Sequence, residues 1–419
     1  MSAPRTVAAA TRRLVGLTAL RWLPVGLTTP VMVLLALSRG LTLQQVGLLF
    51  TVHGLVVLAL ELPTGGLADV LGRRPVVVVG AALHLLSCLV YATAHSFAGF
   101  LVGILLLGVG RALDSGPVEA WYVDTVHGLD PQADVAPGLA RQSAADGAGL
   151  ALGAVAGGLL PGLLGGPGAL AAPYVAAAAL DLLFVAAVLR LLHEQRPPRE
   201  GTVRAALVAG AREVPATVGG AVRLSVTDGP LRRVLLLTAV GGAGLVACEL
   251  LGPVRFAELA GSTADGAAVY GTVLAAAFAV AAVAALAAPS LRRLLGGSTR
   301  AACAALALLG GLSLAVLAGP DLLPVAAVAF AGYYVAHGAA WPLLSSVLHG
   351  RVTTAHRATA VSAMSLAMAL GGLLANLLVP VLPRDAALLG VGAVVGLSAL
   401  LCLRLPAVEQ AAVPAAGPA

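Results

Sequence analysis

At 419 residues, 59% hydrophobic and only 11% charged, this sequence falls well below the roughly 25% charged residues of soluble globular chains, which points to a lipid environment. All 25 basic residues are Arg, which excludes a P-loop ATPase, whose phosphate loop needs a Lys, and a pyridoxal enzyme, whose Schiff base needs one. No cofactor is expected, and the formal charge of +6 follows from where the arginines sit, with no nucleic-acid partner required.

The opening "MSAPRTVAAATRR" precedes an apolar run too long for a signal-peptide core and has no clear cleavage site, so the first helix is expected to be retained. Crossing the hydrocarbon takes about 20 apolar residues in a helix. On that measure six passes are predicted at 14–37, 43–65, 75–94, 97–121, 142–164 and 170–191. Six more follow at 232–254, 267–288, 300–318, 322–347, 358–381 and 386–404. The expected fold is an all-α integral membrane protein of 12 transmembrane helices in two six-helix halves, residues 1–192 and 232–405. Residues 406–419 read as a disordered tail.

The break at 193–231 reads as a cytoplasmic linker. "HEQRPPREG" is an exposed stretch, and 202–226 is amphipathic, with Arg204, Arg212 and Arg223 on one side; a surface helix bent or split at Pro215 is predicted. Twenty arginines fall on the linker side of the passes and three (Arg39, Arg255 and Arg384) on the other, with Arg21 and Arg111 inside passes. That bias is expected to place both termini in the cytoplasm, and because the excess of Ala, Gly, Leu and Val with no Lys looks like a GC-rich bacterial genome, a bacterial inner membrane is expected. Cys88, Cys248, Cys303 and Cys402 are far apart, and His53, His84 and His95 are scattered, so packing or surface roles are expected and no metal site.

One short turn breaks the apolar pattern between passes 2 and 3: "ELPTGGLADVLGRRP". Its Gly65-x-Leu67-Ala68-Asp69-x-x-Gly72-Arg73-Arg74 resembles the signature loop of the major facilitator superfamily, and six passes, a linker and six passes is that superfamily's plan. The resemblance implies that Asp69 holds the two halves together in the outward-facing state, against the start of helix 11, here 354–359, and that Arg73 pairs with an acid at the cytoplasmic end of helix 4, Asp124 or Glu119. The matching turn in the second half, "PSLRRLLGG", puts Arg293 where Asp69 sits, so an asymmetric gate is expected.

Pass 4 reads "GVGRALDSGPVEAWYVD", similar to a subgroup of bacterial exporters of the superfamily, with Ser115 in place of an expected glycine. Arg111, a charge in a membrane helix, needs an acid partner, with Asp114 one turn away and Asp146 on pass 5 available. Asp114 or Asp146 exchanges protons while Arg111 tunes it, or the group is a fixed ion pair that braces the bundle. Pass 5 carries Gly149, Gly153 and Gly157 at four-residue spacing, a close-packing face. The same stretch resembles the drug:proton antiporter motif, with Ala154 in place of its proline.

In this superfamily helices 1, 4, 7 and 10 line the cavity, which offers Arg21, Thr28, Asp114, Glu249, Tyr333, His337 and Trp341 as substrate contacts. Tyr333, His337 and Trp341 fall on one helix face, and ordinary packing is the other reading of that stripe. Arg21 is expected to pair with Glu61, and Asp181 to serve as a proton site or as a brace for Asn376 or a helix dipole. The function expected is proton-coupled export of a small, partly apolar organic molecule by a monomeric transporter. A proton-coupled nutrient importer is the alternative. An intramembrane enzyme or a receptor fits less well, since no nucleophile–base set and no large soluble module is present.

Overall fold

The computed structural model describes residues 4–64, 67–114, 116–166, 168–194, 202–351 and 357–406. Among these, twelve helices are long and apolar enough to cross a membrane. Spans 1 to 6 are Val7–Ser38, Leu43–Glu61, Arg73–Thr93, Phe97–Leu129, Ala136–Leu164 and Ala169–Leu191. Spans 7 to 12 are Gly229–Ala260, Thr263–Leu294, Thr299–Ala318, Leu323–His349, Ala360–Val381 and Arg384–Cys402. Several run past the predicted passes, because hydropathy marks only the stretch suited to hydrocarbon while backbone bonding carries the helix further. Arg255 is therefore inside span 7 and buried, not in a loop as expected.

Polar side chains start many of these helices. Thr6, Ser96, Asp228, Ser262 and Ser298 each accept a hydrogen bond from an amide of the first turn. Two spans are interrupted. Span 1 breaks between Thr28 and Met32, around Pro30, and span 4 breaks after Leu113 and restarts at Pro117. Gly116, at φ +92°, supplies the left-handed residue for that second break, and Pro117 lacks the amide that a first turn leaves unbonded.

The two halves share one packing scheme. Span 1 packs on spans 5 and 6, span 3 on spans 4 and 6, and span 2 on span 4; adding six to each number gives pairings of the second half. Between the halves, span 5 meets span 8 and span 2 meets span 11. Glycines bring these backbones together: a methyl group on Gly158 would overlap Ala267 O, one on Gly271 Ala154 O, and one on Gly47 Asn376 O. These contacts close the two halves together along spans 5 and 8 and along spans 2 and 11, toward the end of the bundle away from the chain termini, with a pocket of about 470 Å3 beside them between spans 1, 7 and 8.

At the terminus end, the linker helix Val203–Thr227 packs on spans 2 and 11. It is helical from end to end, so it is not split at Pro215. The tail 407–419 and the linker stretch 195–201 lie outside the described residues.

Candidate functional site

The signature turn begins with the short helix Leu67–Leu71 and passes through Gly72 at φ +88°, ψ 155°, a conformation essentially reserved for glycine. Arg73 donates to Ala120 O at 2.8 Å and lies 2.5 Å from the Asp124 carboxylate. Arg74 donates through its side chain to Leu189 O at 2.5 Å and through its amide to Glu194 Oε1 at 2.7 Å. The turn thus ties together the terminus-side ends of spans 3, 4 and 6. Gly65, the side chain of Asp69, residues 354–356 of the segment expected to receive it and the side chains of its residues 357–359 lie outside the described residues. Glu119, the other candidate for Arg73, lies apart, in a pocket with Arg111.

That pocket, about 180 Å3, is lined by Arg21, Trp22, Arg111, Asp114, Glu119 and Asp146, with Gln142 beside them. Its pairing differs from the expected one. Arg21 forms its ion pair with Asp114, not Glu61, because the break after Leu113 turns the start of the next segment toward span 1. Arg111, left without Asp114, sits over the Trp22 ring at 5.6 Å, and Arg21 shares that ring at 4.6 Å. One oxygen of Asp114 and one of Asp146 are buried without a hydrogen-bond partner. Gly149, Gly153 and Gly157 face span 1 between Ala19 and Leu27, with no room for a methyl group, and this close approach carries Asp146 to the arginines.

Deeper in the first half, Asp181 is 3% exposed and accepts from His84 Nδ1 at 2.7 Å. This corrects two expectations: His84 is a partner for a buried carboxylate, not a packing or surface residue, and Asp181 is braced by span 3 and not by Asn376. A second pocket of about 200 Å3, lined by Arg21, Arg111, Asp114, His84 and Asp181 among others, connects this pair to the charged cluster.

Between the halves, below the closed end, lies a cavity of about 410 Å3. Thr28, Phe50, His53 and His84 line it from the first half, and Glu249, Tyr270, Phe278 and Asn376 from the second. Thr28 and Glu249 are therefore where the sequence placed them. Arg21 is not, being held in the charged cluster. Nor is the aromatic stripe of span 10. Tyr333 donates to Gly241 O at 2.7 Å, its ring stacks on His337 at 6.2 Å, and both line a separate pocket of about 60 Å3 inside the second half. Trp341 packs against the apolar core nearer the terminus end. Helical spacing shows which residues share a face; it does not show which neighbour that face meets.

Sequence reasoning passed over Trp22 and Gln142 and gave His53 and His84 only packing or surface roles. Two signals were present. Trp22 directly follows a charged residue inside a pass, and His84 and Cys88, at i and i+4, share a face opposite a carboxylate that had to find a partner.

Two matched six-helix halves around a central cavity define a membrane transporter, not an enzyme. The sequence profile of the major facilitator superfamily matches residues 14–376, and the chain belongs to that superfamily. It is 29% identical over 104 residues to an uncharacterized MFS-type transporter of Methanocaldococcus jannaschii, and 34% identical over 76 residues to the multidrug resistance protein MdtL of Klebsiella pneumoniae. Those matches span 25% and 18% of this chain and 27% and 19% of the relatives. In structure the chain resembles the nucleoside transporter NupG, with TM-score 0.72 at 14% identity over 94% of this chain and 98% of that one. It also resembles the human organic anion transporter MFSD10, with TM-score 0.57 at 21% identity over 94% and 99% of the two chains. At these identities the structural likeness speaks for the fold alone.

Proposed function

We propose that this chain is a proton-coupled secondary transporter that moves a small, partly apolar organic molecule outward by alternating access. The observation that carries the reading is a row of three pockets with shared walls: Arg111 and Asp114 line both the charged pocket and the next one, and His53 and His84 line both that one and the cavity between the halves. With the termini cytoplasmic, as the arginine distribution indicates, the contacts that join the halves fall on the outer side, which fits an inward-facing arrangement, and rocking the halves would expose the same cavity outside. Phe50, Tyr270 and Phe278 offer an apolar wall, and Glu249 a single carboxylate for orientation.

The charged pocket supports the coupling. Its lining holds two cations, Arg21 and Arg111, and three carboxylates, Asp114, Glu119 and Asp146. One carboxylate is in excess, so one proton, or one positive group of a substrate, neutralises the pocket. Asp114 is committed to Arg21 and Glu119 is exposed, so Asp146, with one oxygen buried and unpartnered, is the group we assign to exchange the proton. Competition between proton and cationic substrate for that excess charge is what an exchanger needs. The partial likeness to a multidrug resistance protein agrees with the outward direction.

The test is a resistance profile. The chain and its Asp69→Asn variant are expressed in a bacterium lacking its own pumps, then challenged with cationic dyes and antibiotics. Protection that requires Asp69 supports export. Sensitisation would instead indicate uptake, the reading left open by Ala154 in place of the antiporter proline. Normal protection by an inserted Asp69→Asn variant would refute the role given to the signature loop.

A further inference from the structure

His84 and Cys88 lie one turn apart on span 3, and Asp181 faces them from span 6. His84 Nδ1 is 2.7 Å from Asp181 Oδ2, and Cys88 Sγ is 4.0 Å from each of those atoms. Asp181 and Cys88 are buried, and the His84 side chain is 14% exposed. A histidine–carboxylate pair accounts for two of these groups and leaves the thiol without a role. Among the described residues, no other set of three His, Cys, Asp or Glu side chains brings its donor atoms so close together.

We propose that His84, Cys88 and Asp181 form a binding site for a zinc-class divalent metal ion, cross-linking spans 3 and 6 at the wall of the central cavity. The geometry carries the proposal. In a triangle with sides of 2.7, 4.0 and 4.0 Å, the point equidistant from all three donor atoms lies about 2.1 Å from each. That matches zinc bond lengths to nitrogen and oxygen, and the bond to sulfur is only slightly longer. The donor set is mixed nitrogen, sulfur and carboxylate oxygen, which suits zinc or cobalt and not magnesium or calcium. Charge agrees as well: a thiolate and a carboxylate cancel a divalent ion, so the loaded site is neutral in a low-dielectric surrounding, with His84 bound as neutral imidazole. Loading releases the thiol proton. An ion has a way in, because His84 lines both the central cavity and the pocket it shares with Asp181.

The experiment uses the full chain, purified in detergent without a histidine tag, stripped with a chelator and titrated with cobalt(II). The expected result is a thiolate-to-cobalt charge-transfer band that saturates at one ion per chain and disappears when zinc displaces the cobalt. Cys88→Ser is the decisive variant, since it leaves the His84–Asp181 pair in place; it should lose the band while eluting as a monodisperse peak. His84→Ala should weaken cobalt binding more than about tenfold. Zinc should raise the melting temperature of the unaltered chain and not that of Cys88→Ser. Absence of the band in the folded unaltered chain overturns the site. So does a band that survives in Cys88→Ser, which would assign the thiolate to Cys248, Cys303 or Cys402, and so does an equal thermal shift in both proteins.

Discussion

Replacing Gly271 with Ala tests whether the closed end of the bundle is one of two alternating states. Gly271 on span 8 faces span 5 so closely that an added methyl would overlap Ala154 O and stand 3.1 Å from Gly158 Cα. Both obstacles are backbone, so no side chain can swing away. Spans 5 and 8 must instead part by about 1 Å to restore ordinary contact distances. Overpacking of this kind costs about 1–3 kcal/mol. The cost falls only on the arrangement in which these helices touch, so the balance between that arrangement and an open one shifts by about 5–150-fold. The assay is a distance measurement between spin labels on Leu163→Cys and Thr263→Cys, exposed positions at the far end of opposite halves. The four native cysteines are all buried and stay out of the labelling. Gly271→Ala should enlarge the long-distance population, while Gly162→Ala, with nothing within 4 Å of its new methyl, should not. Identical distance distributions in Gly271→Ala and the unaltered chain would refute the idea that this contact belongs to only one state.

The remaining predictions concern the charged pocket and the two halves' cavities. Asp114→Asn removes the carboxylate in direct contact with the Arg21 guanidinium, 16% exposed, while Asp146 remains in the same pocket, and should destabilise the fold by about 1.5–3 kcal/mol, read as a lowered melting temperature in detergent. Adding Arg21→Gln to that variant should recover much of the loss, and a still lower melting temperature would refute the pairing. Asp146→Asn should abolish substrate movement driven by a pH gradient in proteoliposomes while preserving exchange of labelled for unlabelled substrate; loss of both together would mean that Asp146 serves binding or folding and not coupling. Tyr333→Phe removes one hydrogen bond, to Gly241 O, and should cost about 1 kcal/mol of stability with transport unchanged, whereas Glu249→Gln, inside the central cavity, should alter substrate preference with stability nearly unchanged. The opposite assignment of effects would place the substrate in the span 10 pocket.

The lipid environment, the twelve passes, the division into two halves and the family were all legible in the chain itself. Each depends on local composition or on residues adjacent in sequence, where hydropathy and loop spacing act directly. So did the reach of Arg73 to the end of span 4, because neighbouring spans joined by a short turn leave little freedom in where a long side chain ends. The partners of the membrane-embedded charges were another matter. Arg21 had carboxylates within reach on several helices, and the choice of Asp114 over Glu61 was made by a backbone break in span 4, while the span 5 glycines seat span 5, and with it Asp146, against span 1. The stripe of Tyr333 and His337 was correctly read as one face, but the rotation of span 10 about its axis turned it into the second half and away from the cavity. His84, Cys88 and Asp181 lie 97 residues apart at their extremes and met only when spans 3 and 6 packed. Periodicity sets what a helix presents; only packing decides what it is presented to.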